Sequence, residues 1–373
     1  MGQKVRVGII FGGRSGEHEV SLMSARSVLK AINKDKYNVT LIGITKEGRW
    51  IAGENPMKAL ENGAATAPAA ALLGEPQFRA LMQVTEQPGG RGVTLSSITE
   101  LDVIFPLLHG TFGEDGTVQG LLDLANIPYV GAGVVGSAVG MEKGVFKSLM
   151  VAHDVPVPKW IVALRSEIER DPSAVIARAE TIGPYPLFTK PANLGSSVGV
   201  VKVHGRDEFE AALKESARWD RRVLIEQGIN AREIEVSVLG NDDPIASVPG
   251  EIVPSREFYD YEAKYIDEGS RLLIPAPLDS ETTKRAQELA VAVFKAIDCA
   301  GMARVDFLLD KDNGELYVNE LNTIPGFTQI SMYPKLWEAS GVSYSELIDR
   351  LIELALERQA DKDRTERIYE VKR

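Results

Sequence analysis

A stretch near the C-terminal end, GMARVDFLLDKDNGELYVNELNTIPGFTQIS from Gly301 to Ser331, constrains the fold more than any other. Two runs of aliphatic, aromatic and β-branched residues, ARVDFLL and ELYVNELN, flank a polar turn ending in Asn313-Gly314, a β-hairpin composition. Strand side chains alternate between faces, so Arg304 shares a face with Asp306, and Glu320 with Asn322. The turn decides whether the two faces coincide. A two-residue Asn313-Gly314 loop would set Asp312 against Glu315 and put Asp306 opposite Leu321. A three-residue loop, Asp312 to Gly314 with Gly314 left-handed, opposes Lys311 with Glu315 and Asp306 with Glu320. We expect the second register. It gathers Asp306, Glu320 and the Asn322 amide oxygen into a patch of hard oxygen ligands suited to Mg²⁺ between protein and phosphates, with Arg304 beside them as a fixed cation. Any one of these residues alone reads as ordinary solvated surface. Four on one inferred face, followed by Pro325-Gly326, favour a metal site.

Several classes of protein are disfavoured by the totals. At 373 residues the chain is too long for one compact core, so two or three domains are expected. There is no run of about 18 uncharged apolar residues and no secretory h-region at the N-terminus, so neither a membrane span nor a signal peptide is expected. A single cysteine, Cys299, cannot form an intrachain disulfide, which agrees with a cytoplasmic location. The net charge of -11 argues against a nucleic-acid surface, yet a local set of lysines with Mg²⁺ can hold a nucleotide within an acidic protein.

Along the chain, Val5 to Phe11 reads as a buried strand, followed by GGRSGE and a helix with Leu22, Ala25, Leu29 and Ile32 on one stripe. This Gly-rich turn is not G-x-G-x-x-G, and no Walker P-loop occurs. From Ala52 to Thr99 the pattern dissolves into Pro-, Gly- and Ala-rich sequence, expected as an insertion or peripheral lobe. A second buried strand, Leu101 to Leu108, runs into HGTFGEDGTVQGLLDL, whose glycines allow a sharp turn before a helix near Thr117. Pro186 to Val203, PLFTKPANLGSSVGVVKV, reads as two strands joined by a Gly/Ser-rich loop whose N–H and hydroxyl donors can cover phosphates, with Lys190 as a point charge; a flexible hairpin tip accounts for the composition equally well. Between Val248 and Leu278 lies a long irregular stretch, the kind of loop that is usually functional or mobile. An amphipathic helix is predicted over Glu281 to Ile297 after Asp279-Ser280. A capping box at Ser343 and Glu346 opens a last helix, and the charged tail from Asp361 is expected to fray.

The order R-x-D…N-E-x-N-T-x-P-G resembles the metal-binding end of ATP-grasp enzymes, specifically the D-alanine:D-alanine ligases, and the likeness extends over nearly the whole chain apart from the Ala52 to Thr99 insert and the tail. It implies an α/β and α+β multidomain ATP-grasp fold with an N-terminal Rossmann-like domain: residues 1–135, a central subdomain with a glycine-rich lid at 136–227, and a C-terminal subdomain at 228–373. The implied activity is ATP-dependent joining of two D-alanines through a D-alanyl phosphate, for peptidoglycan precursors, with ATP and two Mg²⁺ ions (Mn²⁺ as a substitute) and a homodimeric assembly. GGRSGEHEVS resembles the family's opening motif and implies that Glu17 reaches the amino group of the first D-alanine, while His109 lies near that substrate. Lys143, in a segment similar to M-[DE]-K, and Lys190 would contact ATP phosphates, with Ser197 from the lid and Lys264 from YDYEAKY. Ser196 and Tyr265 would orient substrate, and Tyr265 favours a dipeptide over a D-alanine:D-lactate ester. The strand VLIE resembles the adenine edge, so Glu226 and Glu233 would meet base and ribose. Asp306, Glu320 and Asn322 would hold the metal, Arg304 and the Gly326 N–H would form the oxyanion site, and Ser331 would bind the carboxylate of the second D-alanine. Three alternatives stay open at this point: a D-alanine:D-lactate ligase, a non-catalytic nucleotide-binding protein on the same fold, and a binding module for acidic metabolites.

Overall fold

The computed structural model describes residues 3–63, 67–87, 89–90, 92–254 and 271–367. In the N-terminal domain the apolar run Val5–Gly12 forms a buried strand of a seven-stranded sheet, next to its edge strand. It lies between Tyr37–Ile44 and Val103–Pro106 and is parallel to both. The chain leaves Val5–Gly12 through the helix His18–Ala31 to a neighbour on one side and later returns on the other. A crevice therefore opens beyond the carboxyl ends of Val5–Gly12 and Val103–Pro106, the place where α/β sheets bind ligands.

The Ala52 to Thr99 segment is peripheral, as expected, but it is not patternless. Its strands Ala69–Leu72, Ala80–Glu86 and Val93–Glu100 continue the sheet as an antiparallel meander beyond the short strand Trp50–Ile51. Ala69–Leu72 alternates in burial but is built of helix-favouring alanines with no polar residue to mark the pattern, and Val93–Glu100 is open to solvent on both faces, so neither shows in sequence the apolar/polar alternation of a half-buried strand.

The central unit is a four-stranded antiparallel sheet in the order Val201–Val203, Leu187–Pro191, Arg222–Gln227, Trp160–Leu164. Phe209 and Leu213 of the helix Arg206–Trp219 pack onto Leu187, Val223 and Ile225. The C-terminal unit is built on Ala231–Gly240, Gly301–Asp310 and Leu316–Asn322, joined at the outer edge by Gly250–Val253 and Arg271–Leu273. Its helix Ser280–Ala296 starts where the sequence indicates, with the Asp279 carboxylate accepting from Thr282 N at 2.8 Å, and buries Ala286, Leu289, Ala290, Val293 and Phe294. Phe146 and Met150, from the helix Lys143–Ala152, join the same core.

The last helix, Tyr344–Lys362, ties the first unit to the third. Ser343 caps it through Glu346 N at 3.3 Å, and Leu347, Ile348 and Leu351 share a hydrophobic core with Val7, Ile9 and Phe11 of the N-terminal sheet. Arg358 lies 4.4 Å over the Tyr129 ring and donates to Tyr129 O at 2.9 Å. A continuous apolar core of this kind holds two units as one body.

Candidate active site

The hairpin Gly301–Asp310 and Leu316–Asn322 opposes Asp306 with Glu320 and Arg304 with Asn322, the register expected from the sequence. The route to that register differs from the expectation. The turn has four residues, Lys311 to Gly314, between Asp310 and Glu315: Asp310 N donates to Glu315 O and Gly314 N to Asp310 O, both at 2.9 Å, while Glu315 N donates to Asn313 Oδ1 at 2.8 Å. With that turn Phe307 faces Val318, and a bulge between Asp306 and Phe307 absorbs the extra residue. The three-residue loop was the wrong turn because a compensating bulge is invisible in composition. The bulge has a second effect, since Asn319, which strict alternation would send to the opposite face from Glu320, joins it in the site: its Oδ1 accepts from Lys190 Nζ at 3.4 Å.

Around the hairpin the charges converge. Arg304 makes a paired contact with Asp306, Nε to Oδ1 at 2.7 Å and Nη2 to Oδ2 at 2.6 Å, and a further ion pair with Glu235 at 3.0 Å. Asn322 Nδ2 donates to Asp306 Oδ2 at 2.9 Å. Lys143 Nζ lies 3.7 Å from Glu320 and donates at 2.7 Å to Leu194 O in the Gly/Ser-rich loop, linking that loop to the hairpin. Lys190 Nζ is 2.5 Å from Glu226, and Lys147 pairs with the other Glu226 oxygen. Burial alone would push the Glu226 carboxyl up, but the two lysines outweigh it and hold it below the usual range. Glu233 follows the same strand face as Glu235, two residues away.

On the N-terminal side the HGTFGED loop clasps the end of the hairpin. His109 Nδ1 is 2.9 Å from Ile324 O and Nε2 is 3.0 Å from Ser24 Oγ, so both ring nitrogens are engaged. Burial lowers the His109 pKa and keeps the ring neutral. Glu114 accepts from Gly110 N at 2.7 Å and from Ile324 N at 3.1 Å; burial, then the charge of Glu17, raise its pKa to about 8. Both backbone polar groups of Ile324 are thereby held by one loop, two residues beyond Asn322 and two before Gly326. Phe327 extends the anchor into the shared core, with ring centroids 5.6 Å from Phe105 and 5.5 Å from Tyr344.

Glu17 sits buried at the start of His18–Ala31, facing the lid loop: a Cβ on Gly195 would come 2.8 Å from its Oε1. Ser196 and Ser197 adopt left-handed φ of 53° and 58°, a strained conformation for residues with side chains. Gly326 approaches Ser331, whose Oγ is 3.1 Å from Thr328 N and 2.8 Å from Thr328 Oγ1. Lys264 and Tyr265 lie outside the described residues. Sequence reasoning missed Glu114, Lys147, Glu235 and Asn319. The four-residue spacing from Lys143 to Lys147 and the two-residue spacing from Glu233 to Glu235 were usable signals for shared faces; Asn319 left none.

No group of three or more His, Cys, Asp or Glu side chains able to hold a metal occurs among the described residues. Asp306, Glu320 and Asn322 are oxygen-bearing side chains of the kind Mg²⁺ takes alongside waters and phosphate oxygens; here Arg304 pairs with both Asp306 oxygens and Asn322 Nδ2 donates to one of them.

Comparison with known proteins gives the family of the chain. Residues 6–132 match the family model described as D-ala D-ala ligase N-terminus, and 149–353 that of the D-ala D-ala ligase C-terminus. The chain is 49% identical over 364 residues to the D-alanine--D-alanine ligase of Natranaerobius thermophilus, covering 97% of this chain and 98% of the relative. It is 51% identical over 365 residues to that of a Thermoanaerobacter species, covering 97% and 99%. Among solved structures, the D-alanine-D-alanine ligase from Coxiella burnetii superposes with a TM-score of 0.79 at 37% identity, covering 97% of each chain. The VanG D-Ala:D-Ser ligase from Enterococcus faecalis gives 0.82 at 36%, covering 95% of this chain and 100% of that one. With an ATP-grasp fold, both family models matched and relatives near half identity over almost its full length, the chain belongs to the D-alanine–D-alanine ligases, enzymes that join their substrates at the expense of ATP.

Proposed function

We propose that this ligase makes D-alanyl-D-alanine through a D-alanyl phosphate, in the cytoplasm, for peptidoglycan precursors and as a homodimer. The observation that carries the residue assignments is the opposition of Asp306 and Glu320 with Arg304, Lys143 and Lys190 drawn in around them.

A carboxylate is a poor electrophile, so it is activated first. A carboxylate oxygen of the first D-alanine attacks the γ-phosphorus of ATP, the bond to the bridging oxygen breaks, and ADP leaves. The neutral amine of the second D-alanine then attacks the acyl carbon, the C–O bond to phosphate breaks, and the amine gives up its proton. Both steps place charge on oxygens, where fixed cations and N–H groups act most strongly. Lys143, Lys190, Ser197 and Lys264 contact the phosphates, and Glu226 and Glu233 border base and ribose. Glu17, Ser196 and Tyr265 orient the first D-alanine; His109 supports that pocket from behind, because its ring is spent on Ser24 and Ile324. Ser331 takes the carboxylate of the second D-alanine, and Arg304 with the Gly326 N–H faces the tetrahedral oxyanion. Asp306, Glu320 and Asn322 would hold Mg²⁺, two ions in the full complex or Mn²⁺ in their place, which neutralises phosphate charge.

Phosphate release from ATP is measured with D-alanine, L-alanine, D-serine and D-lactate. D-alanine alone should stimulate strongly, with D-alanyl-D-alanine as product. Comparable turnover with D-alanine plus D-serine or D-lactate would replace the substrate assignment, and ATP hydrolysis indifferent to D-alanine would remove the ligase reading.

A further inference from the structure

Lys147, Glu226 and Lys190 form a charged row in which the reaction above uses Glu226 and Lys190 and leaves Lys147 without a role. Lys147 is 1% exposed, Glu226 2% and Lys190 15%, so Lys190 is the most accessible of the three and Lys147 is shut away from solvent. Glu226 takes one ammonium on each oxygen, Lys147 on Oε1 and Lys190 on Oε2 at 2.5 Å. Both lysines also touch the bulge residue Asn319: Lys147 Nζ is 3.4 Å from its backbone oxygen, and Lys190 Nζ is 3.4 Å from its Oδ1. Glu320 and Glu233 add weaker attraction on Lys190.

A single Lys190–Glu226 pair would work against nucleotide binding. Drawing Lys190 toward a phosphate would leave a fully buried carboxylate without a cation, and uncompensated buried charge is among the costliest states in a protein. A second, permanently seated ammonium removes that obstacle. With two cations on one carboxylate, Glu226 keeps a partner when Lys190 turns to a phosphate. Burial lowers the pKa of Lys147, and the Glu226 carboxylate against it opposes that fall.

We infer that Lys147 is a positioning residue for the nucleotide: it is the standing counter-ion of Glu226, and by holding that carboxylate it frees Lys190 to turn to the phosphates of ATP. This rests on the assignment of Lys190 to ATP and extends it.

The test is a double-variant cycle read by calorimetric titration of Mg·ADP into the whole protein. Lys147→Met should weaken ADP binding at least tenfold while the KM for D-alanine stays within twofold. In a Glu226→Gln background, where the carboxylate bonded to Lys190 is gone, the same change should alter ADP affinity less than twofold; any contact of residue 226 with the base cancels in that comparison. Lys147→Gln is the second probe should the Met variant not fold, with the same two outcomes expected. Undiminished affinity in Lys147→Met, or an equal loss in both backgrounds, overturns the inference, the latter pointing to packing alone. A Lys190→Met variant that binds Mg·ADP like the wild type would overturn the Lys190 assignment and the inference together, whereas a loss there with none in Lys147→Met removes only the inference.

Discussion

Glu114 gives the sharpest prediction because its two hydrogen bonds and its proton act on the same joint. Its pKa stands at about 8 against an ordinary 4.5. Between those values the folded protein keeps a proton that the unfolded chain releases, so the fold loses stability as pH rises through that window and the loss levels off above about 8. Each pH unit is worth about 1.4 kcal/mol, so the whole window amounts to about 5 kcal/mol. For 373 residues, at about 2.1 cal/mol/K per residue, this corresponds to a fall of about 6 °C in melting temperature. Glu114→Gln lacks the proton equilibrium. At pH 5 it should melt below the wild type, because an amide can accept from only one of Gly110 N and Ile324 N and leaving the other unsatisfied costs about 1–3 kcal/mol. Above pH 8 the order should reverse, with the variant the more stable by a few kcal/mol. Differential scanning calorimetry of both proteins from pH 5 to pH 9 measures the difference. Melting curves that stay parallel across that range would show that Glu114 does not carry the proton, and the account of the clasp on Ile324 would need another source of order.

Other perturbations separate chemistry from support. Arg304→Ala should lower kcat by about a hundredfold or more with Mg·ADP binding retained, as the proposed oxyanion role of the guanidinium requires; turnover close to wild type would remove that role. Phe327→Ala empties a fully buried site between Phe105, Tyr333 and Tyr344 and should cost about 3–5 kcal/mol, read by thermal melting, with a fall in kcat as the Gly326 N–H loses its anchor. Gly195→Ala puts a methyl 2.8 Å from Glu17 Oε1 and should reduce kcat by roughly tenfold to a hundredfold at unchanged melting temperature; an unimpaired enzyme would mean that the lid loop does not close on Glu17 during the reaction.

The local features of this chain were legible in its residues. Alternation along ARVDFLL and ELYVNELN identified the hairpin, Asp279 and Ser343 marked two helix starts, and the spacing of Arg304, Asp306, Glu320 and Asn322 marked the residues that the hairpin sets opposite one another. These are short-range properties, set by backbone geometry within a few residues of each side chain. The meander beyond Trp50–Ile51 was not legible, because the pairing of its strands with their neighbours, rather than any in/out pattern of their own, makes them strands.

What tertiary structure alone decided is the company each charge keeps. Lys147, Glu226 and Lys190 come from three separate elements, and nothing within any one of them says that two ammonium groups will share a carboxylate. His109 and Glu114 lie 215 and 210 positions from the residue they hold, Ile324. Sequence determined which groups could bear charge and which face of a strand or helix each would take. Burial and packing across elements determined which charges had to be paired, because the cost of an ion depends on the water left around it, and that is a property of the assembled molecule.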